Sequence, residues 1–175
     1  RVAGVIMSPT RETTNACKSL LVAGIPAVAV DRSVLGTNLD SVMTDNSEAA
    51  YKLVNYLIKQ GHKRIGAVFS DLGITTGRER FEGYKRALRE AGLPLDETLV
   101  NIPNDIALAS FDPLDWMPAL PVMSYAEQPA YELGKTATEL LFKRLETPTR
   151  AAQKVVLEST IHFDSSYKPR VARPP

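Results

Sequence analysis

Ser41-Val-Met-Thr44, then Asp45-Asn-Ser-Glu-Ala-Ala-Tyr-Lys-Leu-Val-Asn-Tyr-Leu-Ile-Lys-Gln-Gly61, then Ile65-Gly-Ala-Val-Phe69: this stretch decides the fold. The first piece is a short apolar strand. Asp45, Asn46 and Ser47 are cap candidates, and Glu48 puts negative charge in a first helical turn, where the helix dipole favours it. Ala50, Leu53, Val54, Leu57 and Ile58 then follow the i, i+3, i+4, i+7, i+8 spacing of one helical face, and Gly61 closes the helix. Ile65–Phe69 is apolar without alternation, the mark of a strand covered on both faces. Strand, helix, strand in this order predicts a parallel sheet with covering helices.

The rhythm extends outward on both sides. Upstream, Val2-Ala-Gly-Val-Ile-Met7 reads as a buried strand broken by Ser8-Pro9-Thr10. Residues 12–23 read as helix, Gly24 as its C′ residue, and Pro26-Ala-Val-Ala-Val30 as a strand ending in Asp31-Arg32. Downstream, residues 70–76 form a loop, and Phe81, Tyr84, Leu88 and Ala91 mark a helix stopping at Gly92 and Pro94. Ile106–Phe111 is a strand ending in Asp112; a proline-spotted loop runs to Pro121; Val122–Ala126 is another strand. A helix after Pro129 shows Leu133, Ala137, Leu140 and Leu141 on one face, and a final strand lies near Val155–Phe163. From Tyr167 the chain reads as a solvated, poorly ordered end.

Composition narrows the function classes. In 175 residues, 44% are hydrophobic and 23% charged, the balance of a folded globular chain rather than a disordered or membrane one. Basic and acidic residues number 21 and 20, a net charge of +1, so no global field draws the chain to nucleic acid or an anionic membrane. Cys17 is the single cysteine, which excludes an internal disulfide and a multi-cysteine zinc site and favours a reducing cytoplasm. His62 and His162 lack acidic partners at metal spacing, so neither suggests a metal. The sequence has no dinucleotide fingerprint, phosphate-cradling loop or nucleophile elbow, and no paired acid and base. Neither an enzyme nor a cofactor is expected.

In open α/β sheets ligands bind beyond the carboxyl ends of strands, and Asp31, residues 70–76 and Asp112 all lie there. Trp116, the single tryptophan, follows Asp112 closely, where it would stack on the apolar face of a ligand or be buried as a core or loop-packing aromatic. Lys63-Arg64 and Lys85, Arg86 and Arg89 make a candidate nucleic-acid patch, but Glu82 and Glu90 interrupt the latter, and a solvated face is the better reading.

Several blocks together resemble the LacI/GalR family of bacterial regulators. They are Gly24-Ile-Pro-Ala-Val-Ala-Val-Asp-Arg32, Thr44-Asp-Asn46, Leu57-Ile-Lys-Gln-Gly-His-Lys-Arg-Ile65, and the segment from Arg80-Phe-Glu-Gly-Tyr84 to Gly92-Leu93. Pro103–Asp112 and Glu127-Gln-Pro-Ala-Tyr-Glu-Leu-Gly134 extend the match over nearly the whole chain. The resemblance implies a two-lobed α/β core like that of periplasmic binding proteins (type I), incomplete in this chain. Residues 1–92 are assigned mostly to the N-terminal lobe, running into the C-terminal lobe near 70. Residues 70–121 belong to the C-terminal lobe, with a gap near 100/101 where roughly sixty residues, two strand and helix units, are absent. Residues 122–175 return to the N-terminal lobe, then hold the crossover and the C-terminal strand and tail. The helix-turn-helix, the hinge helix and the first strands lie outside this chain.

Arg80 matches the family's ligand-binding arginine, three residues before Gly83; the alternative is a surface arginine. Asp112 matches the ligand-contacting aspartate, with a strand-ending loop aspartate as the alternative. Asp31 and Thr76 match cleft positions, and for both a cap or turn role is equally open. Arginine and aspartate suit a sugar because they satisfy several hydroxyls through charge-assisted hydrogen bonds. The resemblance implies a cytoplasmic homodimer that takes a sugar-like effector between its lobes and reaches operator DNA only through the absent N-terminal domain. A solute-binding protein of a sugar transporter is the alternative.

Overall fold

The computed structural model describes residues 2–10, 14–34, 36–67, 72–95, 109–113 and 123–164. The chain forms two units. The first comprises residues 1–45, 71–78 and 129–158, the second residues 46–70, 79–128 and 159–175.

The first unit holds a parallel sheet in the order β1-β2-β3-β6, made of β1 (Val5–Met7), β2 (Ala27–Val30), β3 (Asp40–Thr44) and β6 (Lys154–Leu157). Register runs Val5↔Ala27, Val28↔Asp40 and Ser41↔Lys154. Alternate residues of β2 face opposite sides, as the pleat requires. Val28 and Val42 pack with Leu133, Ala137 and Leu140 of α4 (Ala130–Glu146). Ala27 packs with Leu39, Val34 and Cys17, the last carried by α1 (Thr14–Val22). Both faces of β2 are therefore covered, which is why that strand reads as a continuous apolar run. Burial raises the Cys17 thiol pKa, and its Sγ donates to Met7 Sδ at 3.0 Å, so it behaves as a core residue.

The first unit is tied together by Asp40, whose side chain is fully buried. Its carboxylate accepts from Arg144 Nε (3.0 Å), Arg150 Nη2 (2.7 Å) and the Gln153 amide (2.7 Å). Two guanidiniums and one amide neutralise and saturate the carboxylate, the condition under which a buried charge is tolerated.

The second unit has the sheet β4-β5-β7: β4 (Ala109–Phe111) parallel to β5 (Ser124–Glu127), and β7 (Thr160–His162) antiparallel to β5. The helix α2 (Asn46–Lys59) buries Ala49, Ala50, Leu53, Val54 and Leu57, nearly the stripe expected, and Ile58 is half-buried. Ala49 and Leu53 meet Ala126 of the sheet, while Val54 and Leu57 meet Tyr84, Ala87 and Leu88 of α3 (Thr75–Glu90). The N-terminal turn of α3, through Arg78, belongs to the first unit. Tyr84 Oη donates to the Ile65 carbonyl at 2.8 Å.

Helix ends fall where the glycines predict. His62 N bonds Leu57 O and Gly61 N bonds Ile58 O, with Gly61 at φ 94; Leu93, Gly92 (φ 66), Leu88 and Arg89 repeat the pattern. These paired bonds satisfy terminal carbonyls and need a left-handed residue, which glycine supplies without a Cβ penalty.

Three expectations differ from the structure. The strand expected at Val155–Phe163 is two strands, β6 parallel in one unit and β7 antiparallel in the other. The loop expected through Thr76 stops sooner, because α3 begins at Thr75. Residues 65–67 of the expected strand 65–69 join neither sheet, and 68–69 lie outside the described residues.

Candidate functional site

Strand β4 ends at Phe111, and the next residue turns the chain. Asp112 sits at φ 61, while its amide still donates to Ala126 O at 2.8 Å. Aspartate tolerates the left-handed region better than most residues, though at a cost of about 1–3 kcal/mol, and such strain concentrates at functional positions. The turn is fixed from outside. Gln128 donates its backbone amide to Asp112 Oδ1 (2.9 Å) and its side-chain amide to Oδ2 (2.6 Å). Ser110 Oγ donates to the Asp112 carbonyl at 2.9 Å.

Arg80 lies beside this turn for a reason written in its own helix. A Cβ at Gly83 would overlap the Ser47 carbonyl oxygen and stand 3.0 Å from Ala50 Cβ, so glycine alone lets α3 abut the first turn of α2. One turn before Gly83, Arg80 thereby reaches Asn46, and its Nε donates to Asn46 Oδ1 at 2.7 Å. Asn46 Nδ2 donates in turn to Glu79 Oε2 at 3.2 Å. The Arg80 guanidinium carbon lies 3.6 Å from the centre of the Phe111 ring, a cation–π contact. Arg80 thus contacts Phe111, the residue immediately before Asp112.

The other expected residues are placed differently. Asp31 and Thr76 belong to the first unit. Asp31 follows β2 at φ 68, with its amide on Val42 O at 2.9 Å and Arg32 Nε 3.1 Å from its carboxylate. Asp31 and Asp112 are the non-glycine residues with positive φ among those described, and both immediately follow strands. Thr76 is buried in the first turn of α3, four residues before Arg80. Trp116 lies outside the described residues.

Asn46, Phe111 and Gln128 were not singled out for the site. Asn46 reads as a helix cap, Phe111 as one more strand hydrophobe, and Gln128 as part of a block; only their partners distinguish them. His62 has its pKa lowered by burial. No cluster of three metal-ligating side chains exists among the described residues.

A family model described as periplasmic binding proteins and sugar binding domain of LacI family matches residues 1–114. The chain belongs to this family. A second model, a periplasmic binding protein-like domain, matches residues 95–166. Catabolite control protein A of Priestia megaterium is 26% identical over 218 residues, covering 96% of this chain and 65% of that protein. The HTH-type transcriptional repressor PurR of Actinobacillus pleuropneumoniae is 32% identical over 95 residues, 54% of this chain and 28% of PurR. This LacI-family chain therefore spans less than two thirds of these relatives. The crystal structure of transcription regulator CcpA of Lactococcus lactis shares the fold, with a TM-score of 0.80 at 23% identity over 92% of this chain and 76% of that one. Because 96% of a 175-residue chain falls about fifty residues short of 218, the longer alignment holds about fifty positions without a counterpart here. The PurR match, 95 residues in 54% of the chain, has no such shortfall.

Proposed function

We propose that this chain is the effector-sensing part of a bacterial LacI-type transcription regulator that acts in the cytoplasm as a homodimer. It binds a small polyhydroxylated molecule, a sugar or a close relative, through Arg80 and Asp112. Binding changes the operator affinity of an N-terminal helix-turn-helix domain by as much as ligand affinity differs between the two regulator states. One observation carries the reading: the Arg80 guanidinium, held by Asn46, packs on the ring of Phe111, and the next residue, Asp112, has its carboxylate held by Gln128 on a left-handed turn. A cation and an anion set in fixed orientation beyond a strand's carboxyl end suit several hydroxyls at once. PurR, 32% identical over the matched part, is a transcriptional repressor, which favours this reading over a transporter's solute-binding protein.

Calorimetry of the chain against pentoses, hexoses and disaccharides tests it. At least one sugar binds, and Arg80→Ala weakens that sugar roughly 30-fold or more in a chain that still folds, with Tm lowered by the loss of the bond to the buried Asn46. Equal affinity in Arg80→Ala removes Arg80 from the site.

A further inference from the structure

We infer that Asn46 is a positioning residue for Arg80, acting with the Phe111 ring to fix the guanidinium before any ligand arrives; the inference rests on the reading that Arg80 contacts ligand. An arginine side chain loses much of its rotamer freedom when ordered. If binding has to order it, that cost comes out of affinity; if the fold has already done so, it does not. Here the fold does so. Asn46 is 1% exposed and engaged at both ends of its carboxamide, accepting from Arg80 Nε at 2.7 Å and donating to Glu79 at 3.2 Å. A flip of that amide would set donor against donor and acceptor against acceptor, so the network has one orientation. The bond to Arg80 is charge-assisted and correspondingly strong. Phe111 covers one face of the guanidinium at 3.6 Å, and Gly83 sets the helix spacing that brings the partners into reach. Bond and ring together leave the side chain one plane.

The test has a ligand-free arm and a ligand arm. In ¹⁵N-labelled chain without ligand, the Arg80 Nε–H resonance is protected from water exchange and displaced by the Phe111 ring current. Asn46→Ala speeds its exchange at least roughly tenfold, whereas Asn46→Asp, which keeps the acceptor, retains protection. Phe111→Leu abolishes the displacement but keeps protection, and serves if Asn46→Ala does not fold. In the ligand arm, Asn46→Ala weakens the tightest-binding sugar of the panel about tenfold in the otherwise native chain and not at all in Arg80→Ala, the non-additivity expected of residues acting through one group. Unchanged exchange in folded Asn46→Ala, or an unchanged shift in Phe111→Leu, overturns the inference. So does an equal loss of affinity with and without Arg80. If no sugar binds, the functional reading fails while the exchange arm still decides the role of Asn46.

Discussion

At the scale of single residues, the buried Asp40 carboxylate gathers two arginines that also donate to the Pro148, Ala151 and Leu140 carbonyls. Arg144 and Arg150 are each 15% exposed and converge on Asp40. Asp40→Asn keeps the shape but leaves two half-buried cations facing a neutral amide. Breaking a buried pair from one side costs about 3 kcal/mol or more, so chemical denaturation should show a lower midpoint at an unchanged slope. His62 supplies a pH dependence. Its pKa is lowered in the folded chain because burial disfavours the imidazolium. Below an unfolded value of about 6.5 the unfolded chain takes up a proton that the folded chain resists, so stability falls as pH drops through that region. His62→Gln should remove that part of the slope between about pH 7 and 5, and unfolding curves at stepped pH would show it. Arg80 and Asp112 were singled out by the blocks that resemble the family, Asp112 also by its place at a strand's end; Arg80 itself lies inside α3, five residues past Thr75. Asp40 was not legible, because its arginines lie 104 and 110 residues away.

Among elements, helices were easier to read than strands for a physical reason. A helix such as α2 carries its own stripe and its own stop, and its C-terminal end is closed by bonds within a few residues. Strands here are three to five residues long and take their identity from partners far along the chain. Residues 154–162 show the consequence. Alternation continues through Glu158-Ser159, yet Leu157 pairs beside Thr44 while Thr160 pairs with Glu127, so one apparent strand serves two sheets. Nor does periodicity disclose how closely two helices approach, and that distance is what Gly83 decides. Gly83→Ala gains up to about 1 kcal/mol of helix propensity. The new methyl meets the Ser47 carbonyl, backbone that cannot swing aside, and overpacking of this kind costs about 1–3 kcal/mol. Net destabilisation is expected, with a lower Tm and weaker sugar binding, since α3 must retreat from Asn46. An unchanged Tm would show that the two helices part at no cost.

For the whole molecule, the decisive feature is the run from Leu93 to Ile106. Leu93-Pro-Leu-Asp-Glu-Thr-Leu-Val100 reads as a helix leading into a strand, and Asn101-Ile-Pro-Asn-Asp-Ile106 as the approach to a different one. The junction lies outside the described residues, but the alignments bear on it. The match to PurR proceeds without a shortfall over 95 residues, the match across nearly the whole chain lacks about fifty positions, and the two family models overlap at residues 95–114. Fifty residues amount to nearly two strand and helix units at about 30 residues each. Such units dock on the edge of a parallel pair, and among the described residues β4 has a partner on one side only, β5. Grafting the corresponding fifty-residue segment of catabolite control protein A between Val100 and Asn101 should therefore extend that sheet. The denaturant slope rises in proportion to the surface newly buried. Tm rises by roughly 5 °C or more, because a gain of about 2 kcal/mol in a chain of this size shifts the midpoint that far. An insert that merely loops out leaves Tm unchanged or lowers it, since a longer closed loop costs entropy and returns no burial. That result would show that the second unit is complete without the segment and that Val100 and Asn101 are neighbours by design.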